Sequence, residues 1–132
     1  MLKFDKSRIG DLKEYLYQSN VHDAKITTIN YESKKKILII KLINPIYDNE
    51  ITLNFEKVKV VLSISGKEFG SRETIISLSA EENYSYLQNC TNVCGNSLFD
   101  SIYLLFQMLS GDELHIISKY VLIEDIKKSN DR

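Results

Sequence analysis

The sequence predicts a mainly β protein, an antiparallel two-sheet sandwich or partly open barrel with one short N-terminal helix. The first observation is alternation of apolar and polar residues, strict over Ile51 to Phe55 and interrupted by Val61 alone over Val58 to Ile64, which is the period of a half-buried strand. The second is the abundance of isoleucine, valine and tyrosine in the apolar runs. The third is that a clear helical period occurs near the N-terminus, before these runs begin.

The helix is predicted over Ser7 to Gln18. Its apolar residues recur at helical spacing and form a single stripe, made of Ile9, Leu12, Tyr15 and Leu16. Ser7 can cap the first turn and Asn20 can close the last one. We expect this helix to pack on one face of the sheet.

A β-hairpin is predicted next, with strands at Ala24 to Tyr31 and Ile37 to Ile43. In the first strand Ile26 and Ile29 fall on opposite phases, so this strand is either covered on both faces or bulged. The turn between the strands contains Lys34 to Lys36, which we interpret as a solvated hairpin tip that also discourages edge aggregation.

The strand Ile37 to Ile43 is apolar on both faces, with Lys41 as the interruption. Such a strand needs cover on both faces, so we expect it near the middle of the domain. It should end at Asn44-Pro45, because proline lacks the backbone donor that a sheet ladder requires.

The next two alternating runs are out of phase with each other by one residue. The slip falls near Glu56-Lys57 and predicts a bulge or sharp bend there. A further short strand is predicted over Glu73 to Ser79, with Ile76 and Leu78 pointing inward. In the segment Ala80 to Asn96, Glu81 to Gln88 can form one or two helical turns and the remainder is predicted to be loop, and long loops often carry function.

Leu98 to Leu109 fits both a helix and a strand. As a strand it places Ile102, Leu104, Phe106 and Met108 on one face. The following run, Glu113 to Ile123, is rich in β-branched residues, so a hairpin of two long strands is our interpretation. We expect residues 1–132 to form one domain with a frayed tail at residues 127–132.

Charge and hydropathy restrict the classes of function. Seventeen basic and eighteen acidic residues leave a net charge of −1, which argues against a nucleic-acid binder, since such proteins carry a basic excess. We expect no transmembrane helix, no membrane partner and no secretory signal, and therefore a cytoplasmic location. Cys90 and Cys94 are interpreted as structural or incidental thiols, with a local disulfide as the alternative, because two cysteines alone cannot complete a zinc site.

Four polar residues are candidates for a binding site, and they are His22, Asp23, Asp100 and His115. The pair His22-Asp23 combines a titratable base with a carboxylate, although neighbours in an extended strand point to opposite faces unless the backbone turns. We interpret the pair as a strand entry. Asp100 interrupts an apolar run, where a carboxylate must be paired or lie at a mouth. His115 lies between apolar neighbours and either faces solvent or is a satisfied buried histidine.

No catalytic motif accompanies these residues. The sequence contains no G-x-S-x-G, no H-E-x-x-H and no glycine-rich nucleotide loop. Acid–base or nucleophilic chemistry needs several converging groups. We therefore expect no catalytic residues, no cofactor and no metal, and a protein that is not an enzyme.

Four short stretches carry a resemblance to a protein family. They read V-H-D-A-K-I-T-T-I, I-L-I-I-K-L, I-T-L-N-F-E-K-V and G-D-E-L-H-I-I-S. Their order resembles small bacterial proteins with an H-D-x-x-I first strand, whose function is uncharacterised and some of which resemble immunity proteins of polymorphic toxin systems. The resemblance spans residues 15–124, and His22, Asp23 and Ile26 match the signature. It implies a compact β-rich cytoplasmic domain without known catalytic residues.

The leading functional expectation is a non-enzymatic binding protein, an immunity protein that blocks a protein toxin by direct contact. One alternative is a small-ligand-binding β protein with an apolar cavity lined by some of its eight tyrosines and five phenylalanines. The other alternative is an enzyme that uses His22 and Asp23. Homo-oligomer formation is left open.

Overall fold

The structure is a computed structural model that describes residues 1–19, 21–64, 74–84 and 100–127. Within these ranges seven antiparallel strands form one sheet, in the order β2-β3-β4-β7-β6-β5, with β1 pairing to β7. The elements are β1 (Leu2–Asp5), α1 (Ile9–Gln18), β2 (Lys25–Glu32), β3 (Ile37–Asn44), β4 (Asn49–Ile64), β5 (Ile75–Glu81), β6 (Ile102–Met108) and β7 (Glu113–Lys127).

The predicted fold class is confirmed, because the chain is mainly β, antiparallel, and has one short helix near its N-terminus. The sheet is not closed into a barrel. Its two edge strands, β2 and β5, approach each other at the isolated bridge between Lys25 and Thr74. Two backbone hydrogen bonds of 2.9 Å, from Asp23 N–H to the Ile75 carbonyl and from Ile75 N–H to the Ala24 carbonyl, lie beside this bridge.

The longest ladder joins β4 to β7. It runs from Asn49 opposite Lys127 to Ile64 opposite Glu113. The other edge of β7 pairs first with β6 and then, from Tyr120 to Ile123, with β1. Strands β1, β4 and β6 are therefore hydrogen-bonded directly to β7. Strands β2 and β3 are attached through β4, and β5 is attached through β6.

The helix packs with its predicted apolar stripe against the main core. Leu12 and Leu16 are buried, Ile9 and Tyr15 are partly buried against the core, and the Tyr15 and Phe4 rings lie 5.8 Å apart. A 3-10 turn precedes the helix, and its cap is Asp5 instead of the predicted Ser7. The Ser7 hydroxyl and backbone N–H both donate to the Asp5 carboxylate, and the hydroxyl's hydrogen bond is the main cause that lowers the Asp5 pKa. The predicted closing residue, Asn20, lies outside the described residues.

Irregularities in the long strands divide the apolar residues between two faces. Lys57 has a φ of 54°, and the β4–β7 register shifts between Val58 and Val60. The predicted bend near Glu56-Lys57 is therefore confirmed, within one continuous strand. As a result Val58 belongs to the main core, whereas Val60 belongs to a second core on the opposite face, formed by Val60, Tyr84, Tyr103 and Ile117.

Several details differ from the sequence-based expectations. Strand β1 was not predicted. Ile76 is 42% exposed and does not point inward, because a bulge between Ile75 and Ser77 changes the phase of β5. The expected cover on both faces of β3 is wrong: Leu38, Ile40 and Leu42 are buried, but Ile37, Ile39 and Ile43 are only partly buried.

Other predictions agree with the structure or fall outside it. The strand interpretation is confirmed over Ile102–Met108, with Ile102, Leu104, Phe106 and Met108 all buried in the main core, whereas residues 98 and 99 lie outside the described residues. The bulge in the first hairpin strand is confirmed between Ile26 and Thr28. Cys90, Cys94 and most of the predicted loop at residues 80–97 lie outside the described residues.

Two neighbouring isoleucines of β3 test the difference between the two faces of the sheet. Ile40 is fully buried and Ile39 is only partly buried on the opposite face. We expect Ile40→Ala to lower the free energy of unfolding by about 2–5 kcal/mol, because it leaves a cavity in the main core. Ile39→Ala should cost about 1 kcal/mol or less, since it removes cross-strand contacts without opening a cavity. Urea unfolding followed by circular dichroism measures both, and equal losses would contradict the assignment of faces.

Candidate functional site

The pair His22-Asp23 lies in the turn that enters β2. The backbone turns at Asp23, whose φ is 68°. Because of this turn the two side chains meet, with His22 Nδ1 3.1 Å from Asp23 Oδ2, and both are more than half exposed. The strand-entry interpretation fits this position, and the Asp23 N–H joins the entry to β5 through the Ile75 carbonyl.

His22 also borders a cleft between α1 and β5. The cleft has a volume of about 480 Å³ and is lined by Leu16, Tyr17, Val21, Ile76 and Leu78 together with Ser19, His22 and Ser77. It opens to the surface, and Tyr17 at its rim is 91% exposed. The cleft is therefore a surface groove, whereas the small-ligand hypothesis expects an enclosed apolar cavity.

Asp100 is held by two lysines at one end of β6. Its carboxylate oxygens lie 3.4 Å from Lys59 Nζ and 3.9 Å from Lys119 Nζ. The hydrogen bond from Lys59 is the main cause that lowers the Asp100 pKa. The expectation that this carboxylate is paired or at a mouth is confirmed, because it is both ion-paired and largely exposed.

His115 is a satisfied buried histidine of the second core's face. Its Nδ1 lies 2.6 Å from the Tyr103 hydroxyl oxygen and its Nε2 lies 2.9 Å from Glu113 Oε1. An ionised carboxylate only accepts hydrogen bonds, so in the neutral imidazole Nε2–H donates to Glu113 and Nδ1 accepts from the Tyr103 O–H. The result is a chain of carboxylate, imidazole and phenol. The Tyr84 ring packs against Tyr103 at 5.6 Å.

The Tyr84 hydroxyl makes its own polar contacts beside this chain. It donates to the Ser101 carbonyl at 2.6 Å and accepts from Lys6 Nζ at 3.2 Å. A carboxylate–imidazole–hydroxyl chain can activate a nucleophile when the hydroxyl is accessible. Tyr103 is only 3% exposed, so the arrangement supplies hydrogen bonds to buried polar groups and holds the second core together.

The structure therefore separates the four candidate residues into three environments. His22 and Asp23 contact each other at the entry to β2, Asp100 contacts Lys59 and Lys119, and His115 contacts Tyr103 and Glu113. Over the described ranges no group of three or more histidine, cysteine, aspartate or glutamate side chains is arranged to hold a metal ion. The described part of the chain also contains no helix of the length and apolarity needed to span a membrane.

A groove of five lysines is a feature that sequence reasoning missed. The Val58 N–H donates to the Lys36 carbonyl at 2.9 Å, which brings the hairpin tip against β4. The groove between them has a volume of about 480 Å³ and is lined by Lys34, Lys35, Lys36, Lys57, Val58 and Lys59. Lys34 to Lys36 form an exposed hairpin tip, as expected. The contact of this tip with β4 brings two further lysines, Lys57 and Lys59, beside them. The signal in the sequence is the pair of lysines flanking Val58 at the phase slip.

The outer sheet face is the second feature, and we define it by Ile37, Ile39, Asn54, Tyr120 and Leu122. Ile39, Asn54 and Leu122 lie side by side across β3, β4 and β7, and Ile37 and Tyr120 flank Glu56 in the adjacent row. All five are partly buried, in contrast with the fully buried residues of the opposite face. Asn54 Oδ1 is buried at this surface and has no hydrogen-bond partner within the part of the chain that the structure describes.

Tyr120 connects the outer sheet face to the lysine groove. Lys57 Nζ lies 6.0 Å from the centre of the Tyr120 ring, and Lys3 Nζ lies 4.2 Å from it. These distances are within the range of cation–π attraction. The apolar face and the cationic groove thus form one continuous surface.

Comparisons of the chain with protein-family models, curated proteins and solved structures found no match. The resemblance to H-D-x-x-I proteins therefore stays a prediction, as does the function that it implies.

The buried chain of Glu113, His115 and Tyr103 yields a stability test. We expect Tyr103→Phe to lower the free energy of unfolding by about 1–3 kcal/mol, because it removes the donor to His115 Nδ1 inside the second core. The matched control is Tyr31→Phe, at a tyrosine that is 43% exposed, which should change stability by about 0.5 kcal/mol or less. Chemical denaturation of both variants measures the difference, and an unchanged Tyr103→Phe would show that this hydrogen bond does not stabilise the fold.

Proposed function

We propose that this chain is a non-enzymatic binding protein, of the immunity type, that neutralises a protein toxin by covering it with the outer sheet face. The observation that carries the proposal is this face itself, a surface of β-branched, aliphatic and aromatic side chains left partly open across three strands. The sequence resemblance supports the same class of function.

The composition of the outer sheet face suits protein recognition better than it suits solvent. Antiparallel sheets with one solvated face normally carry polar residues on it. Here Ile37, Ile39 and Leu122 occupy outward positions instead. Tyr120 adds an aromatic side chain, a residue type enriched among those that dominate binding energy. A partner that covers these residues removes apolar surface from water, which is the main favourable contribution to most protein associations.

Asn54 gives a second reason to assign function to this face. Its side-chain carbonyl oxygen is buried and accepts no hydrogen bond from the described residues, and a buried unpaired acceptor costs about 1–3 kcal/mol. A valine would fit the strand without that cost. Residues that make the fold less stable than an alternative residue would are expected at surfaces selected for function.

The partner is proposed to be a folded toxin domain, because the surface is broad and shallow. A flat sheet face offers contact area to another folded surface, whereas small ligands bind in concave sites that bury most of the ligand. The lysines at one end of the surface add a charge preference to the apolar contact.

A coexpression experiment tests the proposal. The chain carrying an affinity tag is expressed with the product of a neighbouring toxin gene, and capture of the toxin and cell survival are both measured. We expect the unaltered chain to capture the toxin and to protect. Ile39→Arg should abolish both, because a charge in the middle of the outer sheet face must be desolvated when the partner docks.

The matched control is Ile76→Arg. Ile76 is 42% exposed and borders the cleft between α1 and β5, so the same charge is added away from the outer sheet face. We expect this variant to retain capture and protection. Absence of a complex and of protection with the unaltered chain would overturn the proposed function, and loss with Ile76→Arg but not with Ile39→Arg would overturn the choice of surface.

A further inference from the structure

We infer that the lysine groove, defined by Lys34, Lys35, Lys36, Lys57 and Lys59 around Val58, binds an acidic segment of the partner protein through that segment's carboxylates. The inference deepens the proposed function and rests on it for the identity of the partner. Binding of carboxylates by the groove can be tested with a carboxylate-rich peptide alone, without the partner protein.

Positive charge is concentrated in the groove. The chain as a whole has a net charge of −1, yet five of its basic residues line one concave surface. Lys34, Lys35, Lys36 and Lys57 are exposed. Like charges held this close repel one another, and an anion placed between them relieves the repulsion.

Intramolecular ion pairs engage two of the five lysines of the groove. Lys35 Nζ lies 3.7 Å from Glu32 Oε1, and Lys59 Nζ lies 3.4 Å from Asp100 Oδ1. Carboxylates of the chain itself therefore already pair with Lys35 and Lys59. Among the described residues the other three lysines of the groove, Lys34, Lys36 and Lys57, have no ion-pair partner. They remain to neutralise further carboxylates.

The same geometry favours a carboxylate segment over nucleic acid. Glu32 and Asp100 show that two lysines of the groove already bind carboxylates within the chain itself. The lining contains no arginine and no aromatic ring among the described residues, whereas grooves for single-stranded nucleic acid combine cations with aromatic side chains on which bases stack.

The groove's position explains how it would act together with the outer sheet face. Lys57 reaches toward the Tyr120 ring, which belongs to that face. A partner seated on the isoleucines of β3 would thus extend its acidic segment into the groove. Such charge complementarity mainly accelerates association and selects the partner, and it weakens as salt rises.

The test is titration of the complete chain with a hexaglutamate peptide that is acetylated and amidated at its ends, followed by backbone NMR shifts. At about 50 mM salt we expect shifts concentrated at residues 34–36 and 57–59, and weaker binding at about 200 mM salt. The triple variant Lys34→Gln/Lys36→Gln/Lys57→Gln should bind about tenfold more weakly. The control triple variant Lys25→Gln/Lys41→Gln/Lys127→Gln removes the same charge from exposed lysines outside the groove and should bind as the unaltered chain does.

Three outcomes would overturn the inference. The first is no shift at residues 34–36 and 57–59 with the peptide. The second is equal weakening in the two triple variants, which would show attraction to net charge alone. The third is tighter binding of an oligothymidylate with the same number of charges, which would assign the groove to nucleic acid. If the peptide does not bind but the coexpressed toxin is still captured, only the assignment of the lysine groove is overturned. If the peptide binds but no toxin is captured, only the proposed class of partner is overturned.

Discussion

The ladder between β4 and β7 is the interaction on which the rest of the structure depends. It joins the two longest strands over nearly their whole length. Because β7 also pairs with β6 and β1 along its other edge, loss of this ladder would leave the two halves of the sheet joined by backbone pairing only at the entry to β2, beside the bridge between Lys25 and Thr74. The ladder pairs residues that are far apart in the sequence, so its entropic cost must be met by the apolar burial on both sides of it.

That burial differs along the ladder because both strands are irregular at its middle. On one side of the irregularity Leu53, Phe55, Val121 and Ile123 face the main core. On the other side Val60 and Ile117 face the second core, where Tyr103 and His115 form their buried hydrogen bond. The same irregularity places Lys57 with a positive φ beside the hairpin tip. One local backbone feature thus determines both the second core and the lysine groove.

Much of the fold could be predicted from the sequence, since alternation in the strands and the helical stripe are local signals. The phase slip near Glu56-Lys57 was visible for the same reason. Strand β1 could not be predicted, because four residues at a chain end show no decisive period and pair only through a distant strand. The prediction that Ile76 points inward was wrong, because the bulge between Ile75 and Ser77 changes which residues of β5 face the core.

The candidate site was less predictable, because its contacts depend on register. His115 and Tyr103 lie on different strands, and nothing local to either residue indicates that the hydroxyl meets the imidazole. The lysine groove likewise depends on the approach of Lys36 to Val58, which are far apart in sequence. His22-Asp23 is a distinctive dipeptide in the sequence, but the structure places it at the entry to β2, where its side chains contact neither His115 nor Asp100.

The central claim is that the outer sheet face and the lysine groove form one docking surface, and hydrogen–deuterium exchange of the chain with and without its captured toxin tests it most directly. We expect slower exchange on binding in β3, in the hairpin tip at residues 33–36 and in the middle of β4 and β7. Exchange in α1 and β5 should be unchanged. Slower exchange confined to α1 and β5 would contradict the claim and place the partner in the cleft beside Tyr17.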